Sequence, residues 1–439
     1  MNLKFLATSI VSIAGAMATA NTRYILRYTE SEPLAAFLAR YSLVREVTIS
    51  GRPIHSVNDP LSRPSAELIQ RISDDTDDDV SIELDQVVKL PIRSFVRNQD
   101  AGLAQLLGAM GRTRPTWFFG TVVPQGFVNQ QPVIQIRANT SWPRHGLGTG
   151  IVAVIDTGVD VRHPIFTNRL VPGFDVLSNV SNGSELNGLS ANVLALINPT
   201  TTPLLERHLT YTSGGVAPAF EQSVRNDPRL SSIPFALGHG TMVAGAVVLV
   251  APGARVMPVR AFYQTGYGRL FNIIRAIHGA EDRGARVVNL SFNFYVYSRE
   301  FERTAAEVSD RGIILVASTG NDARTSPLSY PAAYDKVTGV ASIGNGGFRS
   351  LYSNAGPNIT WVAAPGEGVL LPFPGNRWAG GWGTSFAAPF VSGLASKLLV
   401  RKPNATYSDL QSALGRSFQL GDPNLGLGLL DVWNSVEGQ

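Results

Sequence analysis

The chain has 439 residues, which is long enough for two or three domains. Of these residues 44% are hydrophobic and 16% are charged, a composition that supports a large hydrophobic core. It contains no cysteine, which excludes thiol catalysis and thiolate metal sites. The 37 basic and 33 acidic residues give a formal charge of +4, and we find no basic stripe with interleaved aromatic residues. This charge distribution disfavours nucleic acid as a partner.

The first 20 residues have the pattern of a secretory signal peptide. Lys4 precedes an apolar stretch over 5–17, and the small residues Ala18-Thr19-Ala20 follow it. The apolar stretch is short for a membrane span, and a retained N-terminal anchor is the alternative. The pattern predicts a secreted protein that has no contact with a membrane once 1–20 are removed.

The next segment, 22–90, is predicted to form a small domain with the element order β-α-β-β-α-β, which is typical of the ferredoxin-like arrangement. The predicted strands cover 23–29, 44–50 and 80–88, with a short strand after Gly51-Arg52-Pro53, and the predicted helices cover 33–41 and 65–72. The following residues, 91–145, have no clean period and many Gly, Pro, Asn and Gln residues. They are interpreted as an irregular region.

From residue 148 onward, apolar runs typical of buried strands alternate with helical stretches, which predicts an α/β fold with a mostly parallel sheet and helices on both faces. The predicted strands cover 151–155, 255–260, 286–291, 313–318 and 337–342. The predicted helices cover 241–250, 269–283, 299–311, 385–400 and 406–415. A segment rich in Ser, Asn, Thr, Leu and Pro, 179–235, interrupts this alternation and is interpreted as a surface insertion.

Three polar residues stand at the ends of these predicted elements. Asp156 follows the first strand, His239 lies between two glycines at the start of a helix, and Ser385 opens another helix. A serine hydroxyl becomes a nucleophile at neutral pH when a base lies within hydrogen-bond reach and an acid orients that base. Each residue also has an ordinary interpretation: a turn-capping aspartate, a structural histidine and a helix N-cap. Their order along the chain favours a catalytic triad.

The segments around these residues resemble the subtilase family of serine peptidases, whose triad follows the same order. They read Val-Ala-Val-Ile-Asp-Thr-Gly, Gly-His-Gly-Thr-Met-Val-Ala-Gly and Gly-Thr-Ser-Phe-Ala-Ala-Pro. The resemblance implies a subtilisin-like fold and a serine endopeptidase that forms an acyl-enzyme on Ser385. It also implies that Asn321, after a predicted strand, donates its side-chain amide to the oxyanion. No cofactor is required for this chemistry. A structural calcium ion is common in relatives, but no carboxylate cluster identifies its site here.

The resemblance further implies polypeptide substrates that bind as an added strand between two segments of a monomeric enzyme. The implied substrate-binding residues are Gly266, Tyr267, Gly268, Leu270 and Ile273 on one side, and Ser291, Phe292, Asn293, Thr319 and Gly320 on the other. Leu270 and Ile273 are expected to line an apolar pocket four residues before the scissile bond. The family normally has glycine at the position of Asn293. A narrower or more polar pocket for the residue just before that bond is therefore expected.

The N-terminal part, 21–110, is similar to a subtilase propeptide with its processing region, from Tyr24-Ile25-Leu26 to Glu83-Leu84-Asp85-Gln86-Val87. The mature catalytic domain is then expected at 111–439, with the propeptide as intramolecular inhibitor and folding aid. Two alternatives from other classes are a non-catalytic binding protein on the same fold and an esterase with the same triad. The sequence fixes neither the processing site nor the substrate.

Overall fold

The computed structural model describes residues 22–91, 100–197, 233–325 and 328–438. It divides into two compact units, Met1–Gln86 and Val87–Gln439, which are described separately below. The predicted signal peptide lies outside the described residues, as do parts of the predicted processing region and insertion. Within these described ranges, no helix is long and apolar enough to cross a lipid bilayer.

The first unit is an antiparallel sheet of four strands with two helices. Its elements are β1 (Thr22–Tyr28), α1 (Leu34–Arg40), β2 (Val44–Thr48), β3 (Ile54–Asp59), α2 (Ser65–Asp75) and β4 (Val80–Leu84). The strand order is β2-β3-β1-β4. Alternate residues of β1, Tyr24 and Leu26, pack against Phe37 of α1 and against Leu68 and Ile72 of α2. The predicted β-α-β-β-α-β order is thus confirmed.

The last predicted strand of that domain, 80–88, is wrong as a single element. Its first part is β4, and residues Val87–Lys89 form a separate strand, β5, in the second unit. A break at Asp85 and Gln86 separates the two, and Asp85 N donates to Arg23 O at the end of β1. The chain therefore leaves the first sheet before it reaches β5.

The segment predicted to be irregular contains regular elements. These are α3 (Asp100–Met110), β6 (Pro115–Phe118), β7 (Thr121–Pro124), α4 (Gln125–Val128), α5 (Gln131–Gln135) and α6 (Ala138–His145). The rings of Phe127 and Trp142 each lie 5.5 Å from that of Phe118, edge to face. All three rings belong to the main core of the second unit, so long-range packing, and not a local period, fixes these short elements.

The rest of the second unit alternates strands and helices. Its elements are β8 (Ile151–Asp156), β9 (Phe174–Asp175), α7 (Ala191–Ile197), α8 (His239–Val250), β10 (Arg255–Arg260), β11 (Tyr267–Arg269), α9 (Leu270–Glu281), β12 (Ala285–Leu290), α10 (Arg299–Asp310), β13 (Ile314–Ser318), β14 (Val337–Ile343), β15 (Val362–Pro365), β16 (Val369–Phe373), β17 (Arg377–Gly381), α11 (Thr384–Arg401), α12 (Tyr407–Leu414) and α13 (Val432–Glu437). The predicted strands and helices of this part are confirmed to within three residues at each end.

Seven of these strands form one parallel sheet in the order β15-β14-β13-β12-β8-β10-β9. Helices α8 and α11 pack on each other and on the sheet, and α9 packs on α10 and on the sheet. Every residue of α8 is buried, and so are residues 384–399 of α11. A helix that is apolar all round lies inside a core. Both helices are buried from their first residues, His239 and Thr384.

Helix α11 also carries a buried lysine. Lys397 is fully buried, and its ammonium donates to Gly146 O at 2.5 Å. Burial lowers the pKa of Lys397 from 10.5 to about 8. No acidic side chain within the described ranges forms an ion pair with it. The charged form is therefore less stable in the folded chain than in water.

We expect Lys397→Met to raise the free energy of unfolding at pH 7 by about 1–3 kcal/mol, because an apolar side chain of similar length replaces a buried charge. The folded pKa lies below the unfolded value. Stability of the unmodified protein should therefore rise with pH between about 8 and 10.5, and this rise should be absent from the variant. Thermal unfolding at pH 7 and pH 10 measures both effects. A variant that melts below the unmodified protein at pH 7 would contradict the expectation.

Candidate active site

Two of the predicted triad residues form a buried hydrogen-bonded pair. Asp156 ends β8, His239 begins α8, and both side chains are fully buried. His239 Nδ1 donates to Asp156 Oδ1 at 2.8 Å, and Thr157 N donates to the same oxygen at 2.7 Å. Because Nδ1 is occupied in this way, Nε2 is the nitrogen that can take up a proton. Among the described residues, His239 Nε2 is buried without a hydrogen-bond partner.

Glycines on both sides of His239 allow the close approach. Gly238 has a φ of +92°, in the left-handed region, and a Cβ atom there would lie 2.1 Å from the ring of Phe373. A Cβ atom on Gly240 would lie 2.1 Å from Gly158 O, in the turn after Asp156. A larger residue at position 238 would therefore push the start of α8 away from Phe373 on β16, and one at position 240 would push it away from the turn after β8.

The third predicted triad residue, Ser385, lies in the first turn of α11. Its side chain is buried, and its hydroxyl donates to Ser291 O at 3.1 Å. Among the described contacts, no hydrogen bond joins it to His239. The ring of the next residue, Phe386, lies 5.6 Å from the imidazole ring, so α11 packs directly on the histidine. Ser385, the predicted nucleophile, thus lies on a helix that packs against His239, but its hydroxyl is hydrogen-bonded to a carbonyl.

The side-chain amide of Asn321 is held in one orientation. Its Oδ1 accepts from Thr384 N at 2.9 Å and from Thr384 Oγ1 at 2.8 Å. The Nδ2 group therefore points away from α11, and it donates to Pro91 O at 2.6 Å. Gly383 has a φ of +148°, and a Cβ atom there would lie 2.9 Å from Asn321 Nδ2. Glycine at position 383 thus leaves room for the amide beside the start of α11.

A strand of the chain itself lies between the two predicted cleft segments. Strand β5 pairs antiparallel with β11, where Val88 faces Gly268, and Leu90 N donates to Gly266 O at 2.8 Å. On the other side, Lys89 forms a bridge with Asn293. Two residues after β5, the carbonyl oxygen of Pro91 accepts a hydrogen bond from the Asn321 amide. A peptide bound in this way has its last carbonyl at a donor that suits an oxyanion.

Proline at position 91 changes the hydrogen bonding of the second cleft segment. Proline has no N–H group, so Pro91 has no donor to offer to a neighbouring strand. Ser291 O, on the segment opposite β11, accepts a hydrogen bond from the hydroxyl of Ser385.

The first cleft segment also contacts a side chain of β5. Lys89 Nζ lies 5.3 Å from the centre of the Tyr267 ring, a cation–π contact.

The other predicted cleft residues differ in what their side chains contact. Leu270 and Ile273 are fully buried on α9, directly after β11. The ring of Phe292 packs 5.1 Å from that of Phe262 in the core, so only its backbone can face a substrate. Thr319 Oγ1 donates to Asn354 O at 2.7 Å and so also faces inward.

Asn293 lies at the floor of the cleft. It is nearly buried, and its Nδ2 donates to Ser329 Oγ at 3.1 Å. A Cβ atom on Gly320, next to the Asn321 amide, would lie 2.8 Å from Asn293 Nδ2. The side chain of Asn293 therefore fills space directly beside Gly320, the residue before Asn321.

Sequence reasoning missed a buried carboxylate at this site, Glu185. Its Oε1 accepts from Thr157 Oγ1 at 2.5 Å and from Gly238 N at 2.7 Å. Its Oε2 accepts from Thr241 N at 3.2 Å and from Thr241 Oγ1. Burial raises the pKa of Glu185 to about 7. It lies in a polar segment without a period, so no local pattern could have found it.

The sequence identified no ligands for a metal ion. Within the described ranges, no three His, Asp or Glu side chains gather into a group that could hold a metal ion. None of the described residues is therefore assigned to the calcium ion that relatives commonly bind.

Comparison with known proteins gives the family. The model of the subtilase family matches residues 148–428, which is more than half of the chain. A thermophilic serine proteinase of Bacillus sp. (strain AK1) is 29% identical over 62% of this chain and 60% of its own length. A thermostable alkaline protease of Halalkalibacterium halodurans is 32% identical over 46% of this chain and 58% of its own length.

Thermitase of Thermoactinomyces vulgaris is 29% identical over 64% of this chain and 85% of its own length. The matched region of the family model runs from just before β8 to just before α13, and it contains the parallel sheet, Asp156, His239, Asn321 and Ser385. The chain spans about 60% of the length of the two bacterial proteases named first. By its fold and by the match of the family model over more than half of its residues, the chain belongs to the subtilase family.

Proposed function

We propose that the chain is a secreted serine endopeptidase, made as a precursor that cleaves itself and is then inhibited by its own N-terminal domain. The observation that carries this proposal is the segment 87–91: its strand β5 pairs with β11, and the carbonyl oxygen of Pro91, two residues after β5, lies 2.6 Å from Asn321 Nδ2. Backbone pairing of this kind favours a polypeptide over a simple ester as substrate. The names of two bacterial relatives, a thermophilic serine proteinase and a thermostable alkaline protease, agree with it.

The proposed chemistry uses four residues. His239 Nε2 takes the proton of the Ser385 hydroxyl while Oγ attacks the carbonyl carbon of the scissile bond. Asn321 Nδ2 and the free N–H of Ser385 at the start of α11 stabilise the oxyanion. The intermediate collapses to an acyl-enzyme, and the leaving amine takes its proton from the imidazolium, which Asp156 stabilises. Water then attacks the ester, again with His239 as the base, and restores the Ser385 hydroxyl.

The proposed processing bond is the one between Pro91 and Ile92. The carbonyl of Pro91 is the group that meets the oxyanion donor, and Val88 lies three residues before it, buried beside Gly268. A cut at this bond releases the N-terminal domain with β5 still attached to it. This strand is then suited to remain in the cleft as a product-like inhibitor.

The first prediction concerns maturation. Ser385→Ala removes the nucleophile, which in subtilisin costs about 10⁶ in kcat. The variant should accumulate at precursor size, while the unmodified chain yields a mature form that begins at Ile92. Purified proteins, intact mass and N-terminal sequencing provide the measurement. Normal processing of Ser385→Ala in a purified system would reject self-cleavage.

The isolated N-terminal part, ending at Pro91, should inhibit the mature enzyme when it is added in trans. A copy truncated after Leu84, which lacks β5, is the matched control and should inhibit at least about tenfold more weakly, because it loses the backbone pairing to β11. Equal inhibition by both copies would show that β5 is not the inhibitory segment.

The second prediction concerns the oxyanion donor. We expect Asn321→Ala to lower kcat by about 10²–10³ with little change in KM, since the lost hydrogen bond strengthens only in the transition state. Steady-state hydrolysis of a peptide measures it. A loss confined to KM would mean that the amide only binds the substrate.

The third prediction concerns specificity. Asn293 narrows the space beside the residue before the scissile bond, so small and medium residues should be preferred there over large aromatic ones. We expect Asn293→Gly to raise kcat/KM for phenylalanine relative to alanine by about tenfold, within the range of 1–3 kcal/mol for such misfits. Paired peptides that differ only at this residue provide the measurement. If phenylalanine is preferred by the unmodified enzyme and Asn293→Gly changes nothing, the assignment of this pocket is wrong.

A further inference from the structure

We propose that Glu185 is a positioning residue for the Asp156–His239 pair, joining the turn after β8 to the first turn of α8. The inference rests on the proposed function, because it concerns the geometry of the base. Glu185 lies near the start of the segment 179–235, which the sequence suggested to be a surface insertion. Its side chain is nevertheless completely buried.

The hydrogen bonds of Glu185 connect the two catalytic segments. On one side, its Oε1 accepts from the hydroxyl of Thr157, the residue after Asp156. On the other side, it accepts from Gly238 N and Thr241 N, which flank His239 at the start of α8. These are N–H groups that a helix leaves without an intrahelical acceptor. One carboxylate therefore spans both residues of the pair through their immediate neighbours.

The two threonine hydroxyls extend this connection. Gly240 N donates to Thr157 Oγ1 at 3.0 Å, and Asp160 N donates to Thr241 Oγ1 at 2.8 Å. Each hydroxyl thus accepts from a backbone N–H and gives its proton to Glu185. The carboxylate has four donors and needs no proton of its own. A Gln side chain has one acceptor oxygen, so it would face backbone N–H groups with its own NH₂.

The backbone of Glu185 is also held. Gln264 Nε2 donates to Glu185 O at 2.6 Å, and Glu185 N donates to Val159 O at 3.1 Å. These contacts fix where the side chain enters the core. The position of the carboxylate is therefore set independently of the hydrogen bonds that it makes to Thr157, Gly238 and Thr241.

The charge of Glu185 acts on the same pair. Asp156 lies directly before the turn, and His239 in the helix, to which Glu185 is hydrogen-bonded. Both of these neighbours are titratable. Asp160 also lies in the turn after β8. Arg260 donates to Gln264 Oε1, and Gln264 Nε2 donates to Glu185 O, so Gln264 links Arg260 to Glu185. Burial, together with the like charge of Asp156, raises the pKa of Glu185 to about 7. When ionised, Glu185 adds a second negative charge beside that of Asp156.

The test compares Glu185→Gln with Glu300→Gln in the full-length chain. Glu300 is also a buried glutamate, but it lies in the first turn of α10. Thr241→Val is a second variant, because it removes one hydroxyl donor and keeps the Thr241 N–H. Correct folding of each variant is checked by thermal unfolding, and active sites are counted with a serine-directed phosphonate.

We expect Glu185→Gln to lower kcat for a peptide by about 10²-fold with KM within threefold, as is typical when a reacting group is displaced. Thr241→Val should lower kcat by about tenfold, and Glu300→Gln should not change it. The ratio of kcat in Glu185→Gln to kcat in the unmodified protein should fall as pH rises through about 7, where Glu185 ionises and Gln cannot, whereas a purely structural defect would reduce the rate equally at every pH. A folded Glu185→Gln with unmodified kcat and pH profile would overturn the proposal.

The proposal can fail separately from the proposed function. If the unmodified chain cleaves no peptide, the endopeptidase assignment fails, and the imidazole NMR signals of His239 still test the role of Glu185. In Glu185→Gln the chemical shifts of these signals should be displaced at pH 8, where Glu185 of the unmodified protein is mostly ionised, with His239→Ala to assign them. If the signals coincide in both proteins, Glu185 does not act on His239.

Discussion

The site depends on keeping charge inside a core from which water is excluded. Asp156, Glu185 and His239 are all fully buried, and an unpaired buried charge destabilises a fold by several kcal/mol. Hydrogen bonds to the carboxylates are therefore a structural requirement before they serve any reaction. Asp156 Oδ1 accepts from His239 Nδ1 and Thr157 N, and both oxygens of Glu185 have donors. The same bonds that make burial tolerable also fix the direction of the imidazole.

The two central helices bring the remaining groups to this point. α8 and α11 are buried almost along their whole length, so neither can slide or rotate without exposing apolar surface or opening a cavity. α8 begins at His239, α11 begins one residue before Ser385, and Asp156 ends the interior strand β8, at the edge of the sheet where ligands of parallel sheets commonly bind. Packing far from the cleft thus sets the distances within it. Small residues in the first turns then decide how closely the backbones approach.

Much of this could be predicted from local patterns. The apolar runs of β8, β10, β12, β13 and β14, and the helices between them, are continuous enough to be recognised, and the short motifs around Asp156, His239 and Ser385 stand at their ends. The elements of 100–145 could not be found in this way, because Phe118, Phe127 and Trp142 are ordered by rings that are distant in sequence. The break between β4 and β5 was missed for a similar reason. Both halves of 80–88 have strand-like residues, and only tertiary pairing assigns them to different sheets.

Glu185 marks the limit of sequence reasoning most clearly. A single glutamate in a polar segment is usually solvated, and nothing in its neighbours indicates that it enters a core. Its role becomes visible only when Thr157, Gly238 and Thr241 are brought together by the fold. Residues that act through a catalytic group, and not on the substrate, leave no motif of their own for this reason.

The carbonyl of Ser291 links the segment 87–91 in the cleft to the hydrogen bonding of the Ser385 hydroxyl. In the structure it accepts the Ser385 hydroxyl, while Pro91 opposite has no N–H to offer. A peptide with an ordinary residue at that position carries an N–H that can compete for the same oxygen. The hydroxyl would then have to find another acceptor, and His239 Nε2 is buried nearby without a partner among the described residues. The missing N–H group of Pro91 therefore makes the alignment of Ser385 with His239 less favourable while 87–91 occupies the cleft, without excluding the alignment that a cut after Pro91 would need.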